Sequence, residues 1–78
     1  MSVTVLYFAS LREKAGCASE VVATPGSLAQ LYDALRARHG FALSREKLRV
    51  AVDGAFADWQ APVRDGAEIA FIPPVSGG

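Results

Sequence analysis

Apolar residues fall along this chain in two rhythms, one of strands and one of a helix. Val3-Thr4-Val5-Leu6-Tyr7-Phe8 is β-branched and aromatic and predicts a buried first strand. Ala9 to Gly16 has room for one short helical turn ending at Gly16. Glu20 to Thr24 predicts a second strand, stopped by Pro25-Gly26, and the two strands are expected to form a hairpin around the segment between them. The helical rhythm then takes over. Leu28, Leu31, Tyr32 and Leu35 recur at i, i+3, i+4 and i+7, which places them on one stripe of a helix. Ser27 and Gln30 have the spacing of a capping box at its start. Arg36, Arg38 and His39 suit the negative end of its dipole, and Gly40 supplies the left-handed stop.

Strand patterning resumes after a connection, Phe41 to Lys47, that holds at most one more turn. Leu48 to Val52 predicts a third strand, Asp53-Gly54 a tight turn, and Ala55 to Ala57 a short returning strand. Asp58 to Val63 is irregular. Asp65-Gly66 turns the chain into a last strand, Ala67 to Ile72, which Pro73 ends by removing a ladder donor. The order β-β-α-β-(β)-β makes an α+β domain, with one main helix on one face of a mixed sheet. With the N-terminal hairpin split and the last strand beside the first, that order is a β-grasp, the ubiquitin-like architecture. The expected division is a β-grasp domain over 1–74 and a C-terminal diglycine tail over 75–78.

Composition narrows the function classes. Seventy-eight residues suit a single domain with a thin stability margin, and the 51% apolar fraction is enough for a core. Such a chain has little room for a deep active site of its own. Eight basic and eight acidic residues cancel, and neither sign runs in a block, so nucleic-acid and membrane-surface binding have no electrostatic support. The single cysteine, Cys17, allows no intrachain disulfide and no Cys-rich metal site, and fits a reducing compartment. No signal peptide is expected at the N-terminus and no stretch is apolar enough for a membrane helix, so a cytoplasmic protein is the expectation.

The candidate chemistry lies at the other end, in Pro73-Pro74-Val75-Ser76-Gly77-Gly78. Glycine has no Cβ, so two in succession can thread a channel too narrow for side chains. Pro73-Pro74 favours stiff polyproline II, and Ile72 before it is held extended, which aims the tail. Val75 to Gly78 reaches about 13 Å when stretched. The reactive group offered is the α-carboxylate of Gly78, with Gly77 needed for threading. A carboxylate must be activated before it reacts. ATP would make an acyl-adenylate, a sulfur donor would displace AMP, and the resulting thiocarboxylate would pass its sulfur on. Neither G-x-x-x-x-G-K-[ST] nor G-x-G-x-x-G occurs here, so the ATP-using enzyme is expected to be separate and no cofactor to be bound.

Three stretches carry a resemblance: Leu6-Tyr7-Phe8-Ala9-Ser10-Leu11-Arg12-Glu13, Asp65-Gly66-Ala67-Glu68-Ile69-Ala70-Phe71-Ile72, and the Pro73 to Gly78 ending. With them the chain resembles the family of molybdopterin synthase small subunits, sulfur carriers of molybdenum-cofactor biosynthesis, over essentially its whole length. The resemblance implies that Gly78 is adenylated by an E1-like enzyme and converted to a thiocarboxylate. It implies that the tail, Val75 and Ser76 included, enters the active site of a large subunit, where sulfur goes to a cyclic pyranopterin precursor. Two small subunits would flank a large-subunit dimer as a heterotetramer. The chain would supply sulfur to that sulfurtransferase without being catalytic alone. The family commonly has Asn at the place of Asp53 and an acidic residue at the place of Ala67; neither touches the chemistry.

Alternation sorts the remaining residues. Ile69 and Phe71 share one face, Ala70 and Ile72 the other, and Phe8 goes with Leu6. If the helix covers Ile69 and Phe71, then Ile72 lies on an open face. The resemblance puts positions matching Phe8, Phe56 and Ile72, together with Pro73 and Pro74, against the partner; the bland alternative is that the three apolar side chains are core. Arg12, Glu13 and Arg64 read as solvated charges, Cys17 as a small packing residue, His39 as a helix-end charge, and Tyr32 and Trp59 as packing. No metal site is expected. Three rival functions share the architecture: the sulfur carrier of thiamine thiazole synthesis, a ubiquitin-like protein modifier, and a plain binding module with an incidental tail.

Overall fold

The computed structural model of the protein describes residues 1–74. Its elements follow the order β1 (Ser2–Tyr7), α1 (Ala9–Ala15), β2 (Ser19–Ala23), α2 (Leu28–His39), a 3-10 turn (Arg45–Lys47), β3 (Arg49–Val52), β4 (Ala55–Phe56) and β5 (Glu68–Ile72). They build one five-stranded sheet in the order β2-β1-β5-β3-β4. β1 and β2 pair antiparallel, from Ser2 opposite Ala23 to Leu6 opposite Ser19. β5 enters between β1 and β3, parallel to β1 and antiparallel to β3. The hairpin is thus split by α1 and the last strand lies beside the first, which meets both conditions for a β-grasp.

Local chemistry explains the elements. In α2, the Ser27 hydroxyl accepts from the Gln30 amide at 3.2 Å, half of the predicted capping box. Gly40 closes the helix at φ 74°, with its amide donating to the Arg36 carbonyl. Asp53 and Gly54 both have positive φ, as a tight hairpin between β3 and β4 requires. The segment after β1 departs from expectation. It is a seven-residue helix rather than a single turn, ending at Gly16 as expected. Leu11 explains the extra length, because it is buried in the core and holds the helix down.

α2 covers one face of the sheet. Val3, Val5 and Tyr7 of β1, Val50 of β3 and Ile69 and Phe71 of β5 meet Leu28, Leu31, Tyr32 and Leu35 there. Tyr32 stands edge-on to Phe71 at 5.1 Å between ring centroids and stacks on Phe41 at 6.0 Å, while its hydroxyl donates to the Leu43 carbonyl at 2.7 Å. Trp59 stacks on Phe71 at 5.9 Å and seals the same side. Among the described residues no helix is long and apolar enough to cross a membrane, and no cluster of His, Cys, Asp and Glu could hold a metal ion.

Candidate functional site

Among the described residues no helix lies over the opposite face of the sheet. Strand alternation sends Leu6, Ala70 and Ala51 to this face, and the ladder sets Leu6 beside Ala70 and Ala70 beside Ala51. Their short side chains leave a shallow floor. Phe8, Phe56 and Ile72 stand around it, and together with Gly54 and Glu68 they complete a groove of about 290 Å³. Phe8 is 45% exposed and Phe56 64%, high values for large apolar side chains. The sequence-predicted trio is therefore brought together on one open surface, and none of the three belongs to the buried core cluster. Ile72 is half-buried at the end of β5, Pro73 is buried and Pro74 exposed. The remaining predicted site residues, Val75, Ser76, Gly77 and Gly78, lie outside the described residues.

Local backbone holds Phe8 outward. Phe8 is extended at φ −128° and ψ 150°, and the next residue, Ala9, takes a positive φ of 50° as the chain turns from β1 into α1. That conformation is uncommon for a residue with a Cβ. At the far side of the groove the Arg49 guanidinium lies over the Phe56 ring, 4.2 Å from its centroid. Arg49 is also the cross-strand partner of Ile72, so it flanks the root of the tail. Sequence reading passed over Arg49; alternation along β3 was the available signal, since it puts Arg49 and Ala51 on one face.

A second polar feature lies on the helix side. Glu20 of β2 accepts from the Tyr7 hydroxyl and is 2.6 Å from His39 Nε2, with Arg38 at 3.8 Å. Burial by itself works to raise the Glu20 carboxyl, but the bonds from Tyr7 and His39 and the Arg38 charge outweigh it and hold the group below its ordinary value. Burial first, and then donation to Glu20, push the Tyr7 phenol above the ordinary tyrosine range. His39 thus does more than complement the dipole of α2, as the sequence had suggested. It ties the end of that helix to β2. Asp53 is likewise engaged, accepting from the Glu68 amide at 2.9 Å and from Arg64 at 3.3 Å. Cys17 is half-buried beside α1, and Arg12 and Glu13 are exposed.

The model of the ThiS family matches residues 5–78. The chain belongs to the ThiS family. It is 41% identical to the molybdopterin synthase sulfur carrier subunit of Escherichia coli (strain K12), an alignment covering 97% of this chain and 99% of that one. The human protein of the same name is 38% identical, with 97% and 93% covered. Among solved structures, SAMP1 from Haloferax volcanii superposes with a TM-score of 0.82 at 29% identity, covering 100% of both chains. A chain of the complex of subunits 1 and 2 of the molybdopterin-converting factor from Helicobacter pylori 26695 does so with a TM-score of 0.72 at 25% identity, again over 100% of both. The expected kinship with molybdopterin synthase small subunits and the β-grasp fold are both borne out.

Proposed function

We propose that this ThiS-family chain is a sulfur carrier in molybdenum-cofactor biosynthesis, the small subunit of a molybdopterin synthase. The observation that carries the reading is the near full-length likeness to sulfur carrier subunits, ending in Gly77-Gly78. In this reading a separate E1-like enzyme lets the Gly78 carboxylate attack ATP. Pyrophosphate leaves and a Gly78 acyl-adenylate forms. Hydrosulfide released by a sulfur donor then attacks the acyl carbon and expels AMP, leaving a terminal thiocarboxylate. In the large subunit that sulfur displaces an oxygen substituent from a carbon of the pyranopterin precursor, a C–S bond forming as the C–O bond breaks, and water then cleaves the thioester, returning the Gly78 carboxylate and leaving a thiol on the product.

The body serves as the handle. The groove bounded by Phe8, Phe56 and Ile72 docks on the large subunit, and docking holds Gly78 near the acceptor, the proximity contribution to catalysis. Buried Pro73 anchors the root while Pro74, Val75 and Ser76 lead the tail inward. The structural likeness to a chain from a complex of converting-factor subunits supports a large-subunit partner, and in this reading two copies flank a large-subunit dimer as a heterotetramer. The chain carries no cofactor of its own, and its place is the cytoplasm, where the single Cys17 stays reduced.

The test is mass spectrometry of the C-terminal fragment after incubation with an E1-like activating enzyme, ATP and a sulfur donor. Replacement of one Gly78 oxygen by sulfur is expected. An unmodified Gly78, with an enzyme proven on a known carrier, would sink the reading. The likeness to SAMP1, one of the small archaeal modifier proteins, favours a second reading in which the same adenylate ends on a lysine amine. Conjugates of this chain in cell extracts, with no thiocarboxylate, would select it.

A further inference from the structure

We infer that Arg49 is a specificity contact of the docking face, receiving a carboxylate of the large subunit beside the entrance to its tail channel. The inference rests on the reading that this face docks on the large subunit. Its own ground is the setting of one side chain. Arg49 is exposed, and its guanidinium carbon lies 4.2 Å from the centre of the Phe56 ring. Among the described residues its side chain makes no hydrogen bond or ion pair, which leaves the guanidinium N–H donors for a planar, two-oxygen acceptor. Among the described residues the acidic groups in ion pairs are Glu20, Asp33 and Asp53, and none is held by Arg49. The ring also restricts the side chain before any partner arrives, so less freedom is lost when a carboxylate binds.

Position then selects the occupant. Arg49 faces Ile72 across the ladder, at the end of the groove from which the tail departs. Glu68 lies at the other end, about 13 Å away along β5. The two ends of the groove carry opposite charge, so a partner is read in one orientation, with its acidic group toward the tail. A second copy of this chain could also set Glu68 against Arg49, but it would not receive the tail that leaves at that point. A protein with a carboxylate next to a tail-accepting channel satisfies both demands.

The experiment is calorimetric titration of the full chain into the large subunit from the same organism, at low and high potassium chloride. Arg49→Met is expected to weaken binding about tenfold at low salt and to flatten the salt dependence. Arg49→Lys is expected to recover only part of the loss, because an ammonium cannot make the forked contact. Thermal melts of both variants should match the parent, as the site is exposed. Phe8→Asp is the control for the face as a whole. If Phe8→Asp abolishes binding while Arg49→Met keeps parental affinity and salt slope, the face docks and the role given to Arg49 is wrong. If Phe8→Asp binds like the parent, the docking face itself is misassigned. Self-association of the free chain that Arg49→Glu dissolves would assign the groove to a second copy and overturn the proposal.

Discussion

Glu20 gathers three polar partners from two elements besides its own. It takes the Tyr7 hydroxyl, His39 and Arg38 together, and its folded value lies below its ordinary value of 4.5. A carboxyl depressed on folding contributes stability in full above its unfolded value and loses it as pH falls through the folded one. The denaturation midpoint of the parent is therefore expected to drop below about pH 5 more steeply than that of Glu20→Gln, which starts lower at neutral pH. Parallel curves from denaturant titrations across acid pH would remove this role for Glu20. Ala9 carries strain of another kind. At φ 50° its Cβ is crowded, and Ala9→Gly is expected to relieve about 1 kcal/mol, seen as a higher denaturation midpoint. A lower midpoint would mean that the chain entropy added by glycine outweighs the strain.

Individual elements are held by their ends as much as by their faces. α2 has Ser27 at its start, Gly40 at its end and His39 tied to β2. Ser27→Ala is expected to cost about 1 kcal/mol, with the helix still formed because its apolar stripe remains buried. Circular dichroism melts report both the loss and the unchanged helix content. The Asp53-Gly54 turn fixes how β4 returns, and so where Phe56 stands relative to Ile72. Asn suits positive φ as Asp does and can still accept from the Glu68 amide. Asp53→Asn therefore removes only the exposed Arg64 pair and should shift stability by less than about 0.5 kcal/mol. A larger loss would show that the charge of Asp53 supports the turn.

A domain of this size carries a stability of roughly 4–12 kcal/mol, so a single core residue matters. Phe71 is fully buried between Tyr32 and Trp59, and Phe71→Ala is expected to remove about 3–5 kcal/mol, most of that margin at its lower end. The tail follows the opposite logic. Among the described residues every member of the core cluster precedes Pro73. Deleting Gly77-Gly78 should leave the thermal midpoint unchanged and abolish thiocarboxylate formation; a deleted variant that still accepts sulfur would place the chemistry elsewhere. Among the described residues one face of the sheet is thus packed against α2, and the other keeps the exposed groove of Phe8, Phe56 and Ile72 to which the proposed function assigns docking.

Much of this was legible in the residues. The stripe Leu28, Leu31, Tyr32, Leu35, the caps Ser27 and Gly40, and the turn at Asp53-Gly54 are local instructions, carried by side-chain spacing and backbone preference. Alternation in β5 placed Ile69 and Phe71 under a helix and Ile72 on the other face, because strand side chains have a fixed period. Kinship followed from motifs spread over the whole chain. Other features depended on separations that no local preference encodes. Leu11 turned a single predicted turn into α1 by finding the core. Glu20 and His39 met across the gap between β2 and the end of α2. Arg49 came to lie over Phe56 because the β3–β4 turn folds one strand back on the other, and beside Ile72 because β5 inserts next to β3. Contacts of that kind form only when distant segments pair, so their partners are chosen by the packed sheet and helix together.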